Sequence, residues 1–362
     1  MTVTTGDEHE FLGIKIKFQP DGLAQLDMSS YLRNAIDASG MDIRRHAKTA
    51  AKKDLRQVNE DSPLLNSDDA TRFVSCVYML MHVALRARSD LCPAVSFLTS
   101  RVSTPTKQDR DKLKRLLEFI LSTINDKSYL GADDLSKFAM YVDVAFAVHH
   151  DRKSHTGGVI TFSTGGLMVS STKHRLVGRS STEGELVGAS DYLPNGIWLK
   201  RYLEGQGIPV NEVIFHQDNE AAINIETNGR ASASTRLRRH LDIQCFFVKD
   251  HIKANGISLR YCNTAIMLAD FLTKPLQGRL FHMFRAVLLG HRHISCLIEL
   301  LPASDMRVEK KVKSGSHARK ERPTGGARVM IEKEKWEETR IKVHPAITLP
   351  LTHQYQTMMN KQ

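Results

Sequence analysis

Cysteine is scarce in this sequence and shows no pairing pattern. Its five cysteines, at positions 76, 92, 245, 262 and 296, are odd in number and form no CxxC pair, which argues against a disulfide framework or a zinc site. A reducing compartment is the simpler expectation. No window approaches the roughly 18 consecutive apolar residues of a membrane span, and the opening Met-Thr-Val-Thr-Thr-Gly-Asp-Glu lacks the basic and apolar regions of a secretion signal. A soluble protein without a membrane partner is expected. Acidic residues are the minority charge, 40 against 51 Lys and Arg, for a net charge of +11 and a pI near 9.4. That balance favours polyanionic partners, although charge alone does not separate nucleic acid from an anionic surface.

What is present is a chain of 362 residues with 41% hydrophobic content, enough for two ordinary domains with cores. Residues 11–32 alternate apolar and polar on both sides of Pro20-Asp21-Gly22, a β-hairpin signal. A helix follows from Ser29, capped by that serine, and ends before Gly40. The stretch from Ala47 to Asp61, with Lys48, Lys52, Lys53 and Arg56, reads as a solvated linker. Helical spacing runs through Phe73, Val77, Leu80, Met81 and Leu85, breaks near Pro93, and returns in Leu113, Leu116, Leu117, Ile120 and Ile124. The pairs Asp68-Asp69 and Asp133-Asp134 lie in polar, turn-like settings and are given no catalytic role.

From Lys137 the texture changes to strands. Phe138 to Val142, Gly157 to Phe162 and Leu167 to Ser171 form an antiparallel meander, the last two joined at Thr164-Gly165-Gly166. A helix then starts at Thr182, where Thr182 and Glu185 fit a capping box, breaks or kinks at Pro194, and stops at Gly205-Gln206-Gly207. A strand from Val213 to Phe215 delivers Asp218. Helices at Asn219–Ile225 and Leu241–Ile252, a strand at Ser258–Tyr261 and a short helix at Ile266–Leu272 complete a mixed sheet with helices packed on it. Residues 291–362 carry 14 Lys and Arg against 8 Asp and Glu, more than half of the net charge, and read as a disordered basic tail.

Four acids recur in one kind of setting. Asp143 follows a strand, Glu185 opens a helix, Asp218 follows a strand and Asp270 opens a helix. Each has a structural explanation of its own: a turn, a reciprocal cap, an N-cap, or a charge set against a helix dipole. Together they meet the requirement of two-metal phosphodiester hydrolysis, in which hard oxygen ligands from separate elements hold two Mg²⁺ ions roughly 3.5 to 4 Å apart.

At these residues the chain resembles the Pol polyprotein of copia-type long-terminal-repeat retrotransposons, in the end of the reverse transcriptase and the ribonuclease H domain after it. The blocks that carry the resemblance are Phe11-Leu-Gly-Ile14, Arg88-Ser-Asp90 with Ala94-Val-Ser96, Tyr141-Val-Asp143, Asp151-Arg-Lys-Ser-His-Thr-Gly157, Arg179-Ser-Ser-Thr-Glu-Gly-Glu185, Gln217-Asp-Asn219, Arg239-His-Leu-Asp-Ile243 and Ala269-Asp-Phe-Leu-Thr-Lys274. They stand in family order over residues 11–290, and as a set they are specific. The resemblance implies an α/β fold: a ribonuclease H-like mixed sheet, three antiparallel strands then parallel strands, flanked by helices and preceded by a mostly helical reverse-transcriptase remnant. The expected divisions are 1–130, 131–290 and the tail 291–362. It implies that Asp143, Glu185, Asp218 and Asp270 bind Mg²⁺, with Mn²⁺ as a substitute. Glu183 is passed over because the family glutamate directly precedes the apolar helix, here Leu186.

The implied substrate is the RNA strand of an RNA/DNA hybrid, told apart by its 2′-hydroxyls and duplex shape and cut in line to leave a 3′-hydroxyl and a 5′-phosphate. Ser154, Lys173, Asn219 and His240 are the candidate contacts to the nucleic-acid backbone. Other Pol-derived products are further expected partners, and the cytoplasm, with the nucleus second, is the expected location. Where the family reads Asp-x-Asp-Trp-Ala, this chain has Asp143-Val-Ala-Phe-Ala, so a second acid is replaced by Ala145. The Tyr-x-Asp-Asp motif of the polymerase palm is missing from the sequence, and DNA synthesis is not expected of it. The alternative expectation is a catalytically silent transposon relic that only binds nucleic acid.

Overall fold

A computed structural model describes residues 5–228 and 239–301, with side chains at all of these except 228 and 239–245. The chain begins with β1 (Glu8–Phe11), β2 (Ile14–Phe18) and β3 (Ala24–Asp27), all antiparallel neighbours. The turn between β2 and β3 falls at Pro20-Asp21-Gly22 as expected, with Gly22 at φ +87°, where a side chain is strained. β1 is an additional strand, folded back through Leu12 and Gly13.

α1 (Ser29–Ala38) starts where expected but without a serine cap. Met28 holds the cap position, and the Ser29 hydroxyl instead donates to Asp27 Oδ1 at 2.6 Å. The expected linker over 47–61 is partly core: Lys48, Lys52 and Lys53 are exposed, whereas Ala47, Ala50 and Leu55 are buried. α2 (Ser67–Ala84) is capped by Asn66, whose side chain accepts from the Asp69 N–H. A short 3₁₀ turn, Ser89–Leu91, leads into α3 (Cys92–Thr99). Pro93 therefore starts a helix rather than breaking one, since its missing N–H is no loss in a first turn. α4 (Lys107–Ser122) opens with a reciprocal capping box between Thr106 and Asp109, and buries Leu113, Leu116, Leu117 and Ile120.

β4 (Ser128–Ala132), β5 (Lys137–Ala145), β6 (His155–Thr161), β7 (Ser163–Thr164) and β8 (Met168–Lys173) follow. β4 and β7 complete the first sheet, in the order β1-β2-β3-β4-β7 and antiparallel throughout. Then come α5 (Ser181–Gly205), β9 (Glu212–Gln217), α6 (Glu220–Asn228), α7 (Arg239–Ala254), β10 (Ile257–Tyr261), α8 (Asp270–Thr273) and α9 (Gly278–Leu288). The second sheet has the order β10-β9-β5-β6-β8. β5, β6 and β8 pair antiparallel, while β5, β9 and β10 pair parallel, which is the mixed order read from the sequence.

Two expectations fail on tertiary packing. Pro194 does not break α5, which runs unbroken for 25 residues with Leu193 and Ile197 buried on either side of an exposed proline. Residues 291–301 are folded rather than disordered: Leu297 is buried and His293 Nε2 lies 2.8 Å from Asp133 Oδ2. Residues 302–362 of the tail lie outside the described residues.

One core runs through both halves of the chain. The 130/131 division falls within β4, and β7 pairs back onto that strand. α9, from the far end, packs Phe281 against Phe119 of α4, with ring centroids 5.6 Å apart. Arg285 of α9 also reaches Asp90 Oδ2 at 2.7 Å, the carboxylate already held by both Arg88 Nε and Arg88 Nη2 at 2.9 Å.

Candidate active site

The parallel pairing of β5 with β9 places the C-terminal ends of both strands at one edge of the second sheet. Asp143 lies inside β5 rather than after it, because the strand continues to Ala145. It is buried. Asp218 directly follows β9. The strand's last residue, Gln217, is fully buried, and its Oε1 accepts the N–H groups of Asp218 and Asn219 at 2.9 and 3.2 Å. That turns Gln217 Nε2 toward Glu185 Oε2, 3.4 Å away. Thr264 Oγ1, beyond β10, donates to Asp218 Oδ2 at 3.0 Å.

Asp270 is the first residue of α8, which lies directly on β6. Gly157 makes that approach possible, since a Cβ there would stand 2.7 Å from the Ala269 carbonyl oxygen and 2.8 Å from Leu272 Cβ. From the end of α8, Thr273 Oγ1 donates to Asp143 Oδ2, and Lys274 Nζ sits 2.6 Å from Asp270 Oδ1 and 3.8 Å from Asp143 Oδ2. One oxygen from each of Asp143, Asp218 and Asp270 lies within 4.8 Å of the others.

Glu185 borders this trio without belonging to it. The expected capping box of Thr182 and Glu185 is not formed. Ser180 is the cap, accepting from the Glu183 N–H at 3.1 Å, and the Glu183 carboxylate reaches back to the Arg179 N–H at 2.8 Å. With Glu183 so engaged, Glu185 is turned into the protein, where it is buried. Gly184 and Gly188 let α5 lie close to β5: a Cβ on Gly184 would meet Val144 Cγ1 at 3.1 Å, and one on Gly188 would meet Val144 Cγ2 at 2.6 Å.

The electrostatics follow from burying acids together. Desolvation, then the charges of Asp143 and Asp218, push Glu185 well above the usual carboxylate range. Desolvation and Asp143 also raise Asp218, and they push Asp270 up to about 7. Lys274 moves the same way for the opposite reason. Burial works against its charge, but the Asp143 and Asp270 carboxylates outweigh that and hold its ammonium above its ordinary value.

Three of the four candidates for substrate contact are engaged within the protein. Ser154 is buried, with its Oγ accepting the Ala147 N–H at 3.1 Å. Lys173 is ion-paired with Asp151 at 2.9 Å. Asn219 caps α6 by accepting the Ala222 N–H at 3.1 Å. The side chain of His240 lies outside the described residues. Gln217, Thr264, Thr273 and Lys274 are the neighbours of the acids that motif reading did not assign, although three of the four lie inside quoted blocks.

No family model matches the chain. It is 24% identical over 292 residues to the retrovirus-related Pol polyprotein from transposon TNT 1-94 of Nicotiana tabacum, covering 79% of this chain and 22% of that protein. The retrovirus-related Pol polyprotein from transposon RE1 of Arabidopsis thaliana is 26% identical over 278 residues, 76% of this chain and 18% of that protein. The chain is a homologue of retrovirus-related transposon Pol polyproteins. This Pol homologue spans about a fifth of the length of those two polyproteins. It is also 30% identical over 181 residues to an uncharacterized mitochondrial protein of Arabidopsis thaliana, across 50% of this chain and 73% of that protein, and belongs to the same family as it. No helix among the described residues is long and apolar enough to cross a membrane.

Proposed function

We propose that this Pol homologue is a retrotransposon-derived ribonuclease H of copia type, a Mg²⁺-dependent hydrolase of the RNA strand of RNA/DNA hybrids. The observation that carries the reading is the convergence of the Asp143, Asp218 and Asp270 carboxylates at the end of a mixed sheet. Kinship with transposon Pol polyproteins supports it.

The donor set fits the ion. Three hard carboxylate oxygens with no thiolate or imidazole among them suit Mg²⁺, or Mn²⁺ in its place, better than zinc. Burial, and after it the charge of Asp143, raises the proton affinities of Asp218 and Asp270, and the Lys274 ammonium is already drawn to the cluster. When bound, the metal supplies Lewis acidity and a water activated near neutral pH. The chain's own residues set the stage for that chemistry. Asp143 is oriented by the Thr273 hydroxyl and Asp218 by that of Thr264, while Gln217 holds Glu185 beside them. Glu185, neutral more readily than an ordinary carboxyl, is suited to hold a proton at the border of the site.

A specific observation favours a second reading. Lys274 neutralises part of the cluster without any metal, as a silent relic that only binds nucleic acid would require. One experiment separates the two. The purified full chain is given a labelled RNA/DNA hybrid with Mg²⁺, beside Asp218→Asn and a DNA duplex control. Cleavage of the RNA strand alone, falling at least about 100-fold in the variant, is the expected result. A folded protein that leaves the hybrid intact in both Mg²⁺ and Mn²⁺, yet binds it equally well with and without Asp218, would overturn the enzyme reading.

A further inference from the structure

A run of side-chain hydrogen bonds outside the carboxylate cluster reaches α8 from behind. His149 Nε2 lies 3.0 Å from His155 Nδ1, His155 Nε2 lies 2.8 Å from Ser171 Oγ, and Ser171 Oγ donates to the Leu272 carbonyl at 2.8 Å. The last bond fixes the direction of the others. A carbonyl only accepts, so the Ser171 hydroxyl gives its single proton to Leu272 and takes a hydrogen bond from His155 Nε2–H. His155 Nδ1 is then the accepting nitrogen, and His149 donates from Nε2. Both rings are buried. Desolvation, followed by the charge of Arg56, lowers both, His149 to about 4, so each ring stays neutral near pH 7.

Leu272 belongs to the four-residue helix that carries Asp270 and Thr273. One turn of helix has too few internal hydrogen bonds to hold its own position, so α8 is placed by what it touches. α3 and α9 cover part of it, and three strands meet it along one row, in which Asp143 pairs with Gly157 and Gly157 with Ser171. At one end of the row Asp143 is bound by Thr273; at the other Ser171 is bound to Leu272; Gly157 between them is the floor on which α8 lies.

We propose that Ser171, oriented by His155 and His149, is a positioning residue of the carboxylate site, anchoring α8 so that the Asp270 carboxylate is held against those of Asp143 and Asp218. The proposal rests on the reading of these aspartates as a divalent-cation site, and its test does not depend on substrate cleavage.

Mn²⁺ binding to the full chain, followed by the electron paramagnetic resonance signal of the free ion, is measured for the parent, Asp143→Asn, Ser171→Ala and Ser171→Thr, with thermal unfolding of each in parallel. Loss of one orienting hydrogen bond is expected to weaken Mn²⁺ binding by Ser171→Ala about 3- to 10-fold at nearly unchanged unfolding temperature. Ser171→Thr, which keeps the hydroxyl, restores binding. His155→Phe, which removes the donor to the Ser171 hydroxyl, serves where Ser171→Ala does not fold; it is expected to weaken Mn²⁺ binding about threefold, and parent-like affinity there overturns the proposal. Parent-like affinity in Ser171→Ala, with Asp143→Asn impaired, overturns the proposal and leaves the cation site standing. A parent that binds no Mn²⁺ overturns both.

Discussion

Replacing Asp270 by asparagine should make the metal-free protein more stable, and the effect should depend on pH in a defined direction. The Asp270 carboxyl is pushed up to about 7 from an ordinary 3.8, first by burial and then by the charge of Asp143. Below about pH 4 it is protonated whether the chain is folded or not, and the substitution changes little. As pH rises from about 4 to 7, the unfolded chain releases a proton that the folded chain retains, so the parent loses stability relative to the variant. A shift of this size corresponds to about 4 kcal/mol above pH 7. That value already contains the opposing pull of Lys274, 2.6 Å away, and with an asparagine amide left buried in the carboxyl's place a net gain of about 1–3 kcal/mol, a few °C in Tm, is expected. The assay is thermal unfolding of parent and Asp270→Asn at pH 5 and pH 8 in EDTA, repeated in millimolar Mg²⁺. Because a ligand of the folded state stabilises by mass action, Mg²⁺ should raise the parent's Tm more than the variant's. A variant no more stable than the parent at pH 8 in EDTA would refute the argument that burial and the Asp143 carboxylate penalise the Asp270 charge. Equal Mg²⁺ responses would refute the argument that they share a cation.

Two further substitutions probe buried charge away from the cluster. Asp90→Ala leaves Arg88 and Arg285 without the buried carboxylate that both grip, and should cost about 3–5 kcal/mol in denaturant unfolding at pH 7; a loss below about 1 kcal/mol would show that the network contributes little. Although burial opposes its charge, the two arginines hold Asp90 well below the usual carboxylate range. Its contribution is therefore complete above the unfolded value of about 3.9 and is lost as pH falls through the depressed folded value. Glu226, on α6, is fully buried with neither carboxylate oxygen partnered among the described residues, and burial pushes it up to about 8. Glu226→Met should stabilise the protein at pH 7 by about 1–3 kcal/mol, the gain growing from about pH 4 upward; a gain that stays flat over that range would contradict a buried, reluctant acid.

The strands and helices that carry their own periodicity were legible in the sequence, and those that depend on a distant partner were not. The alternation around Pro20-Asp21-Gly22 and the apolar face of α4 are local signals, and both elements formed where expected. β4 gives no such signal. Its residues Ser-Tyr-Leu-Gly-Ala become a strand by pairing with β3, about a hundred residues earlier in the chain. Pro194 shows tertiary structure overriding a local cost: a helix-interior proline is unfavourable by about 3 kcal/mol, but α5 is fixed on both sides of it by Leu193, Ile197 and the close contact of Gly196 with Met140. The folded residues 291–301 make the same point, since Leu297 and His293 are held by partners that no local pattern announces.

At the site, the acids stood out in the sequence by their recurring settings, although Asp143 lies inside β5 rather than at its end, and the groups that aim them did not stand out. Choosing between Glu183 and Glu185 turns on which hydroxyl caps α5. Both Ser180 and Thr182 stand three residues before a glutamate, so capping rules alone allow either register. Burial decides it. With Ser180 as cap, Glu183 answers the Arg179 N–H, and the two glycines Gly184 and Gly188 fall on the side that meets β5, which carries Glu185 inward to Gln217. A cap at Thr182 would give Glu185 the role of answering a backbone amide and take it from the border of the carboxylates. The glycine spacing along α5 is thus the signal that could have fixed the register beforehand, because only a face without side chains allows a helix to approach a strand so closely. Gly157 beneath α8 carries the same information at the other end of the cluster. Positions lacking a side chain, more than the acids themselves, mark where the backbone must come near enough for three carboxylates to meet.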